Sequence, residues 1–216
     1  MISLIVPARG ESRDWWQSVS PASADFDLVV VDGGGNPEAP PDFPGRVLLL
    51  PGSSRGARLD AGARAARGDV LFFLHGDSRP PATARRLIEE AVEAGAPAGC
   101  FLLAYTDETP ALRRLAWWAN LRTRWLRLPF GDQGMFCTRA AYEKVGGFAD
   151  LAICDDVDFA RKIGRLRGFR VMAAACRTSP RRYRRGTLRR VLINVRVLAG
   201  FFLGVGNETL ERWYRG

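Results

Sequence analysis

The sequence predicts an α/β fold with a mainly parallel sheet flanked by helices. Three observations lead there. Short β-branched or aromatic runs alternate with helix-like segments through the first hundred residues, the pattern of parallel strands joined by right-handed crossovers. One such run, Val70 to Leu74 within GDVLFFLHGDS, is hydrophobic throughout and bounded by glycines, as a strand buried on both faces requires. No stretch supplies the roughly 18 uncharged apolar residues that a membrane span needs. A Rossmann-like first half is therefore expected.

Taken in order, Ile2 to Val6 is a first strand closed by Pro7, and a helix around Trp15 to Val19 follows the polar ARGES. Leu28 to Val31 is a second strand that exits into Asp32 and GGGN. A proline-rich loop follows, then a third strand at Val47 to Leu50. Ser53 or Ser54 starts a helix to Arg67, whose Ala57, Ala61 and Ala65 form a small-residue face for packing on the sheet. After the strand at 70–74 come a helix from 82 to 94 and a strand at 101–105. The pattern then changes. Leu112, Leu115, Trp118, Leu121, Trp125 and Leu128 recur at helical spacing, and Trp117, Trp118 and Trp125 are expected in the core rather than as a sugar platform. A strand at 135–138, a short helix ended by Gly146-Gly147, a helix at 155–167, a strand at 169–174 and an Arg-studded apolar helix at 188–202 complete the series. Without a linker or repeat, residues 1–216 read as one domain in two halves, 1–108 and 109–216.

The net charge of +9 is divided unevenly between those halves. Residues 1–108 carry 10 Arg against 15 acids, and residues 109–216 carry 22 basic residues against 8 acids. Between Phe159 and Asn207 there are 13 Arg or Lys and no acid. Such a half faces something anionic: a diphosphate, a phospholipid surface or nucleic acid. Nucleic acid is the weakest of these, because no recognition motif is present and the tryptophans are not interleaved with the basic run. The four cysteines (Cys100, Cys137, Cys154, Cys176) are far apart in apolar runs, which predicts buried free thiols in a reducing compartment. MISLIVPARGE has no basic n-region and no long apolar core, so a signal peptide is not expected and the predicted location is cytoplasmic. A lone histidine, His75, excludes a His-rich metal site.

Acids stand at element ends: Asp32 after the second strand, Asp77 after the strand at 70–74, and Asp155-Asp156 opening a helix. Each alone is ordinary at such a place, and Asp77 by itself reads equally as a turn or cap residue. Together they matter more. Parallel strands bring Asp32 and Asp77 to the sheet edge where open α/β folds bind ligands. Gly76 would leave room for a ligand, and a carboxylate there suits a divalent cation shared with phosphate oxygens. A non-enzymatic basic module, for membrane or nucleic acid, would leave these acids without a purpose. A nucleotidyltransferase would want a Gly-rich loop with Arg and Lys after strand one, which VPARGES lacks. A dinucleotide site is weaker still, since GxGxxG is absent.

At this point the chain resembles a family. VPARGE, VVVDGG, RGARLDAGARAARGDVLFFLHGDS, GDQGMF, KVGGF and CDDVDFARK fall in the order seen in family 2 glycosyltransferases of the GT-A fold, and in particular their small bacterial members. The resemblance implies an inverting transferase using a nucleotide-diphospho-sugar, UDP-linked in the typical case. It implies that Pro7, Arg9 and Glu11 line the nucleotide pocket, that Asp32 hydrogen-bonds the base, and that Arg58 reaches the nucleotide. Asp77 matches the last acid of the DxD motif that holds Mg²⁺ or Mn²⁺ on the diphosphate, but His75 replaces the first acid, as a ligand or a hydrogen-bonded neighbour of the sugar. Asp156 matches the general base, with Asp155 raising its pKa and assisting the acceptor; helix capping is the plain alternative for both. Asp132 and Gln133 match an acceptor-binding loop. The run Thr178 to Gly186 fits a loop closing on the leaving diphosphate. Arg-rich helices bearing Trp and Phe suit an anionic membrane surface and a lipid-linked acceptor.

Overall fold

The computed structural model describes residues 1–34, 39–183 and 187–215. Gly35 and Asn36 of the GGGN exit, and Arg184 to Gly186 of the basic run, lie outside the described residues.

The strands are β1 (Ile2–Ala8), β2 (Asp27–Asp32), β3 (Arg46–Leu49), β4 (Val70–Phe73), β5 (Ser78–Arg79), β6 (Ala98–Tyr105), β7 (Met135–Thr138) and β8 (Arg170–Thr178). The helices are α1 (Arg13–Val19), α2 (Arg55–Ala65), α3 (Ala84–Glu93), α4 (Pro110–Leu126), α5 (Arg139–Val145), α6 (Asp155–Gly164), α7 (Thr187–Phe202) and α8 (Asn207–Arg215). All eight strands join one sheet in the order β3-β2-β1-β4-β7-β6-β8-β5, so both halves of the chain share it.

Period-two alternation splits the sheet into two faces. On one face Leu4, Val6, Phe72 and Leu74 meet Trp16 of α1 and Ile88 of α3. On the other, Ile5, Val31, Leu71 and Phe73 meet α2, α5 and α6 through Leu59, Tyr142 and Phe159. Phe148 stacks on Phe159 with centroids 4.0 Å apart, and Phe73 meets both edge-on. That aromatic group fixes α6 against β4; truncating a buried phenylalanine of this kind costs about 3–5 kcal/mol. The oxygens of Ser12, Ser54, Thr109 and Thr138 accept backbone N–H groups at the starts of α1, α2, α4 and α5, which resolves the Ser53/Ser54 choice in favour of Ser54.

The first-half strands β1, β2, β3 and β4 pair in parallel as expected. The strand that interrupts the parallel run is β7. It lies between β4 and β6, antiparallel to both, so β6 keeps the direction of β4 without pairing with it and pairs in parallel with β8. A four-residue apolar run such as MFCT carries no signal for direction. β5 and α8 also escaped the sequence: β5 is two residues pairing with Arg177 and Thr178, too short for any period. Asn207 at the head of α8 accepts from Ala152 N–H and donates to the Ile153 carbonyl, 2.8 Å each, tying the α7–α8 pair to the loop before α6. The tryptophan expectation is also corrected. Trp117, Trp118 and Trp125 are mostly exposed, Trp125 to 79%, because α4 packs on β6 through Leu112, Leu115, Ala116 and Ala119 instead. All four cysteines are buried and free, as the sequence predicts.

Candidate active site

The site begins where β1, β2 and β4 end. Ala8 is level with Asp32 in the β1–β2 register, so the following Arg9 and Glu11 leave the sheet beside that acid. Pro7 is buried within β1. Ile5 sends its carbonyl to Leu74 N–H, so a donor at position 7 would point the same way, past the end of β4; the imino acid costs no ladder bond there. Asp32 is 2% exposed, and its Oδ1 accepts the Gly34 N–H at 3.1 Å. Arg58 is buried beneath them and donates from Nη1 to the Ala8 carbonyl at 2.7 Å. Burial pushes the Arg58 guanidinium below its ordinary value, with Arg9 and Arg55 adding to the effect. The acids converge here. Burial raises the Glu11 carboxyl, Arg9 N–H and Arg181 lower it, and the charges of Asp77 and Asp32 raise it again, leaving it above its ordinary value.

After β4 the chain turns sharply, Ser78 N–H bonding back to the His75 carbonyl at 3.0 Å. Gly76 does not leave space for a ligand, contrary to the sequence reading. A Cβ there would lie 3.1 Å from the Trp15 ring, whose Nε1 donates to the Gly76 carbonyl at 2.6 Å. Asp77 instead faces a cleft of about 370 Å³, lined also by Arg55, His75, Tyr105, Asp132 and Asp156. The α7–α8 pair closes its far side with Arg190, Asn194 and Tyr214.

Arg55, which the sequence reading missed, organises the rest. Ser54 caps α2 just before it, and a residue in the first turn of that helix points to the same edge as Arg58, three positions on. Its Nε donates to both oxygens of Asp155, at 3.1 and 2.9 Å, and its Nη2 to Oδ1 at 2.5 Å. Nη2 also lies 3.1 Å from Asp156 Oδ1, and Nη1 is 2.9 Å from His75 Nε2. Guanidinium has only donors, so that imidazole nitrogen accepts.

Asp155 and Asp156 differ in what they reach. Neither is the helix cap: that position is Cys154, at a left-handed φ of 64° with no side-chain bond to the helix. Asp155 is 1% exposed and spends both oxygens on Arg55. It is not among the residues that line the cleft. Asp156 is. Its Oδ2 accepts the Gly131 N–H at 3.0 Å and its Oδ1 the Val157 N–H at 2.9 Å. Burial alone would raise the Asp156 carboxyl, but the Arg55 charge above all, with the two N–H groups, brings it below its ordinary value. The expected upward push from Asp155 is overridden because Arg55 sits between the two carboxylates.

Gly131 has a geometric reason to be glycine: a Cβ would lie 2.2 Å from His75 Nε2. That approach lets its N–H reach Asp156. The neighbouring Asp132 lines the cleft, whereas Gln133 does not and is fully buried. The Gln133 Oε1 accepts from Arg122, Thr123 and Phe130, and its Nε2 donates to the Phe101 carbonyl. With its amide consumed inside the protein, Gln133 holds the loop in place and its acceptor-binding assignment is corrected.

A divalent cation does not fit His75 and Asp77 as a pair. No group of three or more His, Cys, Asp or Glu residues able to hold a metal occurs among the described residues. The imidazole nitrogen nearest the site already accepts from Arg55, so a cation there would meet a guanidinium head-on. His75 Nε2 is thus engaged by Arg55.

No protein-family model matches the chain, and no curated protein matches it in sequence. Solved structures do match in shape. The chain superposes on Staphylococcus aureus TarS residues 1–349 with a TM-score of 0.64 and 15% identity, over 91% of this chain and 65% of that one. The chain has the GT-A fold. The same TarS fragment in complex with UDP-GlcNAc gives a TM-score of 0.61 at 15% identity, covering 82% of this chain and 58% of that one. A Pyrobaculum calidifontis mannosyltransferase in complex with GDP-Man and Mn²⁺ gives 0.62 at 18% identity, covering 91% and 61%. This GT-A chain thus spans less than two thirds of each of these solved chains.

Proposed function

We propose that this protein is an inverting glycosyltransferase that moves a sugar from a nucleotide-diphospho-sugar, UDP-linked by preference, to an acceptor hydroxyl. The observation that carries the reading is Asp156: a carboxylate kept ionised by Arg55 and two backbone N–H groups, on a cleft shared with Asp77. Solved structures of the same fold hold UDP-GlcNAc and GDP-Man, which supports a nucleotide-sugar donor.

In this reading, Asp156 accepts the proton of the acceptor hydroxyl. The freed oxygen attacks the anomeric carbon from the face opposite the diphosphate. The bond to the leaving phosphate oxygen breaks with inversion, and that oxygen keeps the electron pair. Asp155 acts through Arg55, holding it where it neutralises developing charge. Residues 1–108 supply the nucleotide side, with Asp32 toward the base and Arg9, Glu11 and Arg58 around it. Residues 109–216 supply the acceptor side, where Asp132 faces the cleft. Any Mg²⁺ or Mn²⁺ would rest on Asp77 and the donor phosphates, where it would offset phosphate charge.

Thermal melting with UDP, GDP, ADP and TDP, each with and without Mn²⁺, tests the donor class. A ligand that binds only the folded chain raises its melting temperature. A shift with UDP that Asp32→Ala removes supports the reading; no shift with any nucleotide sinks it.

A further inference from the structure

Two helix faces lie outside the cleft. On α7, Leu188, Leu192, Val195 and Phe202 are all exposed, and so is Leu203 just after it, to 83%. Positions 188, 192, 195, 199 and 202 are spaced alternately four and three apart, and all are apolar: Leu, Leu, Val, Ala, Phe. They form one continuous stripe along the helix. The opposite face of α7 is the one that packs, through Val197 and Ile193, and lines the cleft through Asn194 and Leu198. On α4, Trp117, Trp118, Trp125 and Leu126 are exposed at 56–79%. Monomeric soluble proteins rarely present this much large apolar side chain without a partner.

The charges beside these faces narrow the partner. Arg113, Arg114, Arg124 and Arg127 are exposed along or just after α4, and Arg189 and Arg196 flank the α7 stripe. Neither helix contains an acid. If two copies met through these faces, arginines would oppose arginines with no carboxylate from either helix to pair them. An anionic bilayer supplies what is missing. Tryptophan is favoured at the headgroup level, leucine and phenylalanine enter the acyl boundary, and arginine finds lipid phosphate.

We infer that the outer faces of α4 and α7 dock the protein on an anionic phospholipid surface. The chain then lies in the interface rather than crossing it; no helix among the described residues is long and apolar enough to span a bilayer. Docking stands independently of the transferase reading, since it uses residues outside the cleft.

The test is co-sedimentation of the whole chain with phosphatidylglycerol-containing and pure phosphatidylcholine vesicles, at low and high salt, with no nucleotide present. Binding is expected on the anionic vesicles only and is expected to fall with salt. Trp118→Ala with Trp125→Ala, and separately Leu192→Ser with Val195→Ser, should each weaken binding by about tenfold. Circular dichroism and melting temperature should stay unchanged, which separates lost docking from lost folding. Binding to neither vesicle overturns the inference, as does binding that both well-folded variants retain in full. A dimer in sedimentation velocity that Leu192→Ser dissociates, with no vesicle binding, would assign the stripe to a second copy instead.

Discussion

The acid at the end of β4 and the acid in the first turn of α6 share a cleft but are held in different ways. Asp77 follows a strand, and its Oδ1 accepts from Thr178 Oγ1 at a long 3.5 Å. Asp156 is gripped by two backbone N–H groups and a guanidinium. A carboxylate loosely held is one a ligand can recruit. A carboxylate bound from several sides keeps its charge and direction whatever enters the cleft. The first arrangement leaves the carboxylate open to a ligand; the second fixes its charge and direction, at some cost in basicity.

Exchanging Asp156 for Asn is the most severe way to break this contrast. Turnover is expected to fall about 10²- to 10⁴-fold, with nucleotide affinity little changed by calorimetry; a variant that still transfers sugar would move the base elsewhere. Arg55→Gln comes next. It strips the partner from a carboxylate that is 1% exposed, and breaking a buried pair in this way costs about 3–5 kcal/mol, measurable by urea unfolding. Because the Arg55 charge helps hold Asp156 below its ordinary value, the acid limb of the rate profile should also move toward neutrality. Asp32→Ala and Asp77→Ala probe the binding side, each weakening nucleotide affinity about 10- to 100-fold if a charged hydrogen bond or phosphate contact is lost. Only Asp77→Ala should also abolish any dependence on Mn²⁺.

The smallest effect belongs to Glu11. Its carboxyl lies above the ordinary value, through burial and then the charges of Asp77 and Asp32. The folded state therefore binds this proton more tightly than the unfolded one, so ionised Glu11 costs stability above its folded pKa. That cost fades as pH falls and is gone below the unfolded value of 4.5. Glu11→Gln should melt slightly higher than the parent near neutrality and at the same temperature well below pH 4.5. A gap that persists in acid would mean that packing, not charge, is responsible.

The parallel core was legible because hydrophobic runs and the acids after them lie in sequence order, and β1, β2 and β4 follow that order directly. What stayed hidden depends on contacts between distant positions. Arg55 looks like any arginine at a helix start until Asp155, a hundred residues away, meets it. Gln133 stands beside a cleft-facing acid, yet its neighbours in space turn its amide inward. The α4 tryptophans follow a helical period, but their exposure is decided by which stripe β6 accepts. Periodicity names a face without saying what covers it.

One plain feature offers a clock. The four thiols sit on β6, on β7, before α6 and on β8, all of them buried. Burial pushes Cys154, next to the catalytic candidates, up to about 12. A maleimide or disulfide reagent therefore has no ready target in the closed protein. Labelling waits for each segment to open, so peptide-resolved labelling rates would rank the local opening free energies of these four segments. If the loop before α6 yields first, the ground beneath Asp156 is the softest of the four. If Cys100 and Cys154 label together, the sheet and the site come apart as one.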